Sequence, residues 1–169
     1  KLRVAELNLE RKEMANNSLF GRAAAAKLLF DTMREERDTS RRAYVAPLKQ
    51  KVERLGQLVF DSNFEVEIND DLQIASRTAN GVTIPFNSLS GGTKEQLSLI
   101  FRLACSMLVA KDGGTPLILD DALGYTDPER LKLMGAVLAK AAKESQIVIF
   151  TCVPDRYSNV GEASVVSLQ

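Results

Sequence analysis

Leu89-Ser-Gly-Gly-Thr-Lys-Glu-Gln96 is the stretch from which the fold of this chain can be read. A Ser-Gly-Gly turn that opens a helix presents backbone N–H groups, and the helix dipole favours an anion at that end. Glycine at positions 91 and 92 lets a phosphate approach the backbone closely. The Ser90 hydroxyl can donate to the same phosphate, or it can simply cap the helix. Further along, Pro116-Leu-Ile-Leu-Asp-Asp121 is an apolar strand ending in two carboxylates. Such a pair can hold Mg²⁺, usually through water, and can orient or deprotonate a water beside a phosphate. Asp127 with Pro128 reads as a helix N-cap followed by a first-turn proline.

The rest of the chain supplies the frame. A helix is expected from Thr93 to about Ala110, with apolar Leu97, Ile100, Phe101, Ala104 and Leu108, and Asp112-Gly-Gly114 ending it. Leu117-Ile-Leu119 and Ile147-Val-Ile-Phe150 read as buried parallel strands, separated by a helix from Asp127 to about Lys143. That order implies a parallel crossover unit in an α/β layer. Val165, Val166 and Leu168 suggest a last strand. Upstream, Phe64–Ile68 and Leu72–Ala75 alternate apolar and polar residues, with a turn at Asn69-Asp-Asp71 between them. Asn80-Gly81 is a hairpin signal before Val82-Thr-Ile84, so residues 61–85 predict a small antiparallel meander.

From Lys1 to about Phe60 the chain reads as helix. Ala23-Ala-Ala-Ala26 has strong helix propensity. Leu48, Val52, Leu55 and Leu58/Val59 recur at helical spacing, and Ala26, Phe30 and Met33 make a weaker stripe. Residues 34–42 are polar on every side, as in a solvated arm. Pro47 is expected to break or restart the helix. The predicted division is a helical arm over 1–60, the base of a coiled coil, and an α/β lobe over 61–169.

Composition excludes several classes. Lys plus Arg equals Asp plus Glu, 22 each, so the formal charge is zero. A piece that gripped DNA alone would be more basic. There is no histidine, hence no His-based metal site, general base or catalytic triad in this segment. The 169 residues fit one domain with an appended arm, and the mean hydropathy lies near zero. No apolar run approaches the roughly 18 residues of a membrane span, so no membrane role is expected. Cys105 and Cys152 both lie among apolar residues; two buried thiols suit a reducing cytoplasm better than a disulfide framework. Cys152 reads as packing. The charges Lys94, Glu95, Arg102, Arg130, Lys132, Lys140 and Lys143 read as solvated helix faces. No Gly-x-x-x-x-Gly-Lys-Ser/Thr loop occurs, and the chain begins at Lys1. It is therefore read as a piece of a longer protein whose phosphate-cradling loop lies elsewhere.

The block from about Pro85 to Tyr157 resembles the C-terminal nucleotide-binding half of ABC-type ATPases. Leu89–Gln96 matches the signature motif, Pro116–Asp121 matches Walker B, and Asp127 matches the D-loop carboxylate. A helical arm and a β meander precede the signature here, which is similar to the SMC-like branch with its SbcC, RecF, RecN and YhaN-type proteins of DNA repair. Leu-Ser-Gly-Gly-Thr-Lys-Glu-Gln-Leu, Leu-Asp-Asp and Phe-Thr-Cys before Pro-Asp-Arg-Tyr most resemble the YhaN-like members. The resemblance implies ATP and Mg²⁺ as cofactors. It implies ATP hydrolysis at a homodimer interface between two heads, each completed by its own N-terminal Walker A half. Ser90, Gly91, Gly92, Thr93 and Gln96 would contact the nucleotide of the neighbouring subunit. Asp120 would fix Mg²⁺ through water, Asp121 would be the catalytic carboxylate, and Asp127 would cross the interface. DNA and a nuclease are the further partners it suggests, in repair or chromosome maintenance. The segment alone is expected to be inactive. Two departures stand out. Most members carry Glu where this chain has Asp121, and many carry a histidine where it has Val153. They leave open an ATP-gated scaffold that does not hydrolyse; the ATPase of a transport or defence system is a further alternative.

Overall fold

The computed structural model describes residues 2–69, 71–109 and 115–167. They divide into two compact units, Lys1–Ala43 and Tyr44–Gln169. The first is part of one helix, α1 (Leu2–Gly56). Its apolar side chains, among them Leu7, Met14, Leu19, Phe20, Leu28, Phe30 and Met33, are exposed and scattered round the helix rather than gathered on one face. Ala26, Phe30 and Met33 thus form no buried stripe.

Pro47 lies inside α1 and does not break it. A helical proline costs the hydrogen bond to the carbonyl four residues back, here that of Ala43. Both residues are exposed, so water can take that carbonyl. The downstream turns supply the offsetting energy, because Leu48, Val52 and Leu55 are buried in the core. The helix ends at Gly56, four residues before the expected limit, and Val59 rather than Leu58 continues the buried side.

In the second unit, β1 (Glu65–Ile68), β2 (Ile74–Ala79) and β3 (Val82–Pro85) form the expected antiparallel meander. Its second strand is Ile74–Ala79, later and longer than the alternation of Leu72–Ala75 indicated. Asn80 and Gly81 both take positive φ, as a two-residue hairpin requires. The register pairs Ala79 with Val82 and Arg77 with Ile84, and a bulge between Glu67 and Ile68 resets β1 against β2. A 3-10 turn, Phe86–Ser88, leads to α2 (Gly91–Val109). The terminator expected at Asp112–Gly114 lies outside the described residues.

Then follow β4 (Leu117–Asp120), α3 (Pro128–Ala141), β5 (Ile147–Phe150) and a 3-10 turn, Pro154–Tyr157. β4 and β5 pair in parallel, Asp120 opposite Phe150. The core gathers Leu97, Ile100, Leu103 and Ala104 of α2, Leu119 of β4, and Met134, Val137 and Leu138 of α3 with Phe64 and Val66. Both strands are less buried than a continuous apolar run suggests: Ile118 is 63% and Phe150 47% exposed. A two-stranded sheet in this chain covers one face only. Val165 and Val166 are exposed and form no strand; Leu168 lies outside the described residues. Among the described residues no helix is long and apolar enough to cross a membrane.

Gly56 and Gly21 make the packing testable. A Cβ on Gly56 would collide with the ring of Phe64, which is fully buried and stacked on Phe60 at 4.9 Å. A Cβ on Gly21 would meet nothing within 4 Å. Gly21→Ala should therefore stabilise the helix by about 0.5–1 kcal/mol. Gly56→Ala should destabilise by about 1–3 kcal/mol despite the same gain in propensity. Denaturant unfolding of both variants checks the opposite signs.

Candidate functional site

The site is built from the start of α2, the end of β4 and the loop between β4 and α3. Ser90 caps α2: the Thr93 N–H donates to Ser90 Oγ at 3.3 Å and the Lys94 N–H to the Ser90 carbonyl at 2.9 Å. Lys94 Nζ donates to the Asn87 carbonyl at 2.8 Å and closes the turn. Ser90 and Gly91 are exposed, and a Cβ on Gly91 would meet open space. Gly92 differs. A Cβ there would collide with the carbonyl oxygen of Tyr125. Glycine at 92 is thus what lets the post-β4 loop lie against the helix.

Thr93 and Gln96 point inward. Gln96 is 1% exposed; its Nε2 donates to Thr126 Oγ1 at 3.2 Å and its Oε1 accepts from Arg130 Nη1 at 3.5 Å. Arg130 is no free surface charge, since it also reaches Thr93 Oγ1 at 3.5 Å and lies over the Phe60 ring at 5.7 Å. Arg77 lies over the same ring at 5.2 Å. Burial, and then the Arg130 charge, push the Arg77 guanidinium below its ordinary value.

Glu95 carries the largest correction to the sequence reading. Instead of facing solvent, its carboxylate accepts three backbone N–H groups from the loop after β4: Leu123 at 2.7 Å, Gly124 at 3.3 Å and Tyr125 at 3.2 Å. Two residues of that segment, Asp121 (φ 42°) and Leu123 (φ 67°), are non-glycines in left-handed conformation. Each such residue costs of order 1 kcal/mol or more, and bonds to a charged acceptor offset it. Glutamate five residues into a helix, beside a lysine, gives no sign of this. Only the return of the chain past β4 creates the contact.

β4 delivers Asp120 and Asp121 to its C-terminal end, where both are exposed. The Asp121 N–H donates to the Phe150 carbonyl at 2.8 Å and extends the sheet by one bond. Its side chain is met by the segment after β5. Asp121 Oδ1 accepts from Arg156 Nη1 at 2.9 Å and from Thr151 Oγ1 at 3.1 Å, and Cys152 Sγ lies 3.7 Å from Oδ2. Cys152 is therefore exposed and turned to a carboxylate, not buried as packing; Cys105 is half-buried, and burial pushes its thiol up. Arg156 also reaches the Ala122 carbonyl at 3.4 Å, and the Tyr157 hydroxyl donates to that same carbonyl. Burial pushes the Tyr157 phenol up as well. Val153, at the position where many members of the resembled family carry a histidine, is exposed and its N–H donates to Thr151 Oγ1 at 3.0 Å. Asp127 caps α3 through the Arg130 N–H at 2.9 Å, as the sequence indicated, and its other oxygen lies 3.7 Å from Arg130 Nε.

Among the described residues no three His, Cys, Asp or Glu side chains gather as a metal site. The donor present at the strand end is the Asp120 carboxylate. It suits a hard cation such as Mg²⁺, which takes one or two carboxylates and keeps water and phosphate oxygens as its other ligands.

The Glu95 contact has a measurable weight. Glu95→Ala leaves three loop N–H groups without their charged acceptor and should destabilise by about 2–3 kcal/mol. Glu95→Gln keeps an acceptor and should cost less. Urea unfolding of the two variants tests this; equal stability of Glu95→Ala and the parent protein would refute the contact.

No protein-family model matches the chain. It is 45% identical over 168 residues to uncharacterised proteins of Mycobacterium tuberculosis and Mycobacterium bovis, an alignment that covers 99% of this chain. The chain spans only 19% of the length of these relatives. An SMC ATPase described for its ATP-driven dimerisation and DNA-stimulated activation superposes with a TM-score of 0.60 at 15% identity, over 79% of this chain and 83% of that one. The SMC head domain from Thermotoga maritima superposes with a TM-score of 0.50 at 22% identity, over 68% of this chain and 40% of that one. Identities this low speak to the fold. With its meander, the helix α2 and its parallel β4–β5 pair, the chain has the α/β fold of an SMC ATPase head.

Proposed function

We propose that this chain is the C-terminal lobe of an SMC-like head that binds and hydrolyses ATP between two engaged heads. One observation carries the reading. The open helix start at Ser90–Gly91 and the strand-end carboxylates Asp120–Asp121 belong to a single body, tied together by Glu95 and the Leu123–Tyr125 N–H groups. A phosphate-facing turn and a metal-and-water-facing strand end are the two functions an ATPase needs beyond the phosphate-cradling loop.

In this reading residues 1–60 are the base of a coiled-coil arm and 61–169 the lobe. Ser90 and Gly91 face the nucleotide of the partner head. Gly92, Thr93 and Gln96 act behind them: their contacts with Tyr125, Thr126 and Arg130 support the shape of the turn. Asp120 would hold Mg²⁺ through water, and the ion would supply neutralisation of phosphate charge. Asp121 orients and deprotonates the attacking water. Asp127 caps α3 and meets the partner. The N-terminal Walker A half of the same protein completes each head, in the cytoplasm, with DNA as the object of the engaged dimer. One observation favours a second reading, an ATP-gated scaffold that does not hydrolyse: Asp121 is already engaged by Arg156 and Thr151. Single-turnover hydrolysis by the full-length protein separates the two.

Ser90→Arg tests the action in trans. The substitution should leave ATP affinity of the monomer within about twofold while abolishing ATP-dependent dimerisation, since a bulky cation at an exposed cap clashes across the interface. Titration and light scattering read the two effects. Loss of all nucleotide binding would instead place Ser90 in its own subunit's pocket.

Asp121→Asn tests the chemistry. Removing the general base should lower turnover by about 100-fold or more and stabilise the ATP-bound dimer. Unchanged turnover would move the catalytic role to another residue.

A further inference from the structure

One oxygen of the side chain assigned to water activation is already occupied. Asp121 Oδ1 accepts two hydrogen bonds, from Arg156 and Thr151, which fill its two lone-pair directions. The thiol of Cys152 lies against Oδ2. All three donors come from the seven-residue segment Thr151–Tyr157 that follows β5. A water can be held by Oδ1 only when a donor leaves.

The donors are not equivalent. Thr151 is fixed from behind, because its Oγ1 accepts the Val153 N–H at 3.0 Å. Cys152 is a weak donor. Arg156 has a second anchor on the Ala122 carbonyl at 3.4 Å and a long flexible stem, while its backbone is held in the 3-10 turn beside Tyr157. Its side chain is only 18% exposed, against 48% for Asp121. A guanidinium so poorly hydrated leaves one anion only for another. A terminal phosphate offers more charge than a carboxylate and accepts the same planar fork of donors.

We propose that Arg156 is a positioning residue that clamps Asp121 in the nucleotide-free head and transfers its guanidinium to the terminal phosphate when a nucleoside triphosphate binds. Thr151 keeps Asp121 oriented, and Oδ1 becomes open to the attacking water. Oδ1 of the general base is thereby released only when the phosphate to be attacked is present, and a diphosphate does not release it. This rests on the proposed ATPase function.

The test is discrimination between ATP and ADP, measured by titration on the full-length protein with Mg²⁺. Arg156→Gln should reduce the ratio of ATP to ADP affinity by about 10- to 100-fold, with ADP affinity changed by less than about twofold. Arg156→Lys should restore part of the ratio. Asp121→Asn should raise it, because the competing carboxylate has become neutral. Opposite shifts in the two variants are a result that a merely structural ion pair does not give, and the Asp121→Asn arm is read even if Arg156→Gln fails to fold. An unchanged ratio in Arg156→Lys and Asp121→Asn, in a protein that binds ATP and loses turnover on Asp121→Asn, would overturn the clamp and leave the ATPase reading intact. Wild-type protein that binds neither nucleotide would overturn the ATPase reading and the clamp with it.

Discussion

The carboxylate of Glu95, closing on the N–H groups of Leu123, Gly124 and Tyr125, is the contact on which the rest of the site depends. The loop it holds is otherwise unfavourable. It begins with Asp121 at φ 42°, contains Leu123 at φ 67°, and turns its N–H groups inward, away from any strand or helix ladder. A hydrogen bond to a charged acceptor is worth about 1.5–3 kcal/mol, so the Glu95 carboxylate offsets the cost of this loop's shape. Its further contacts follow from that shape. Tyr125 can press its carbonyl on Gly92, Thr126 can meet Gln96, and Asp127 can start α3 at the right place.

Under the proposed function this has a consequence for coupling between heads. Ser90–Gly91 and Asp120–Asp127 would face different parts of a shared interface, yet they are joined by a short rigid chain of contacts. A displacement at the cap of α2 passes through Glu95 and Gly92 to the loop within a turn and a half of helix. No long path through the core is needed. Two elements that are bonded this directly move as one, which suits a site that must be assembled or absent rather than half-formed.

What was legible in the sequence was whatever a local pattern determines. Asn80-Gly81 fixes a hairpin, alternation fixes β1, Ser90 and Asp127 fix two helix starts, and Leu-Ile-Leu fixes β4. Pro47 misled because propensity is a local cost, and burial of Leu48, Val52 and Leu55 on the next turns exceeds it. Glu95 and Arg130 misled in one common way: charged residues on helices are solvated by default, and only the tertiary path brings Leu123–Tyr125 and Gln96 to them. Gly92 read as room for a phosphate, yet it makes room for the chain's own backbone. Cys152 read as packing from its apolar neighbours, but the chain turns out of β5 just there and brings the thiol to Asp121.

The same contacts explain how an aspartate can stand where most members of the resembled family carry glutamate. The shorter side chain has one torsion fewer, so its carboxylate cannot search for a water; its position must be set by the backbone. The left-handed φ of Asp121 re-aims the side chain away from the line of β4, and the bond from its N–H to Phe150 pins that backbone to the neighbouring strand. Thr151, directly after that same strand, then fixes the carboxylate in rotation. In the proposed enzyme, reach lost by a methylene is replaced by placement from β5, and this gives the segment Thr151–Arg156 work that a histidine would otherwise do. In that reading the segment needs no imidazole: a neutral hydroxyl orients the carboxylate, and the Arg156 cation would exchange it for a phosphate.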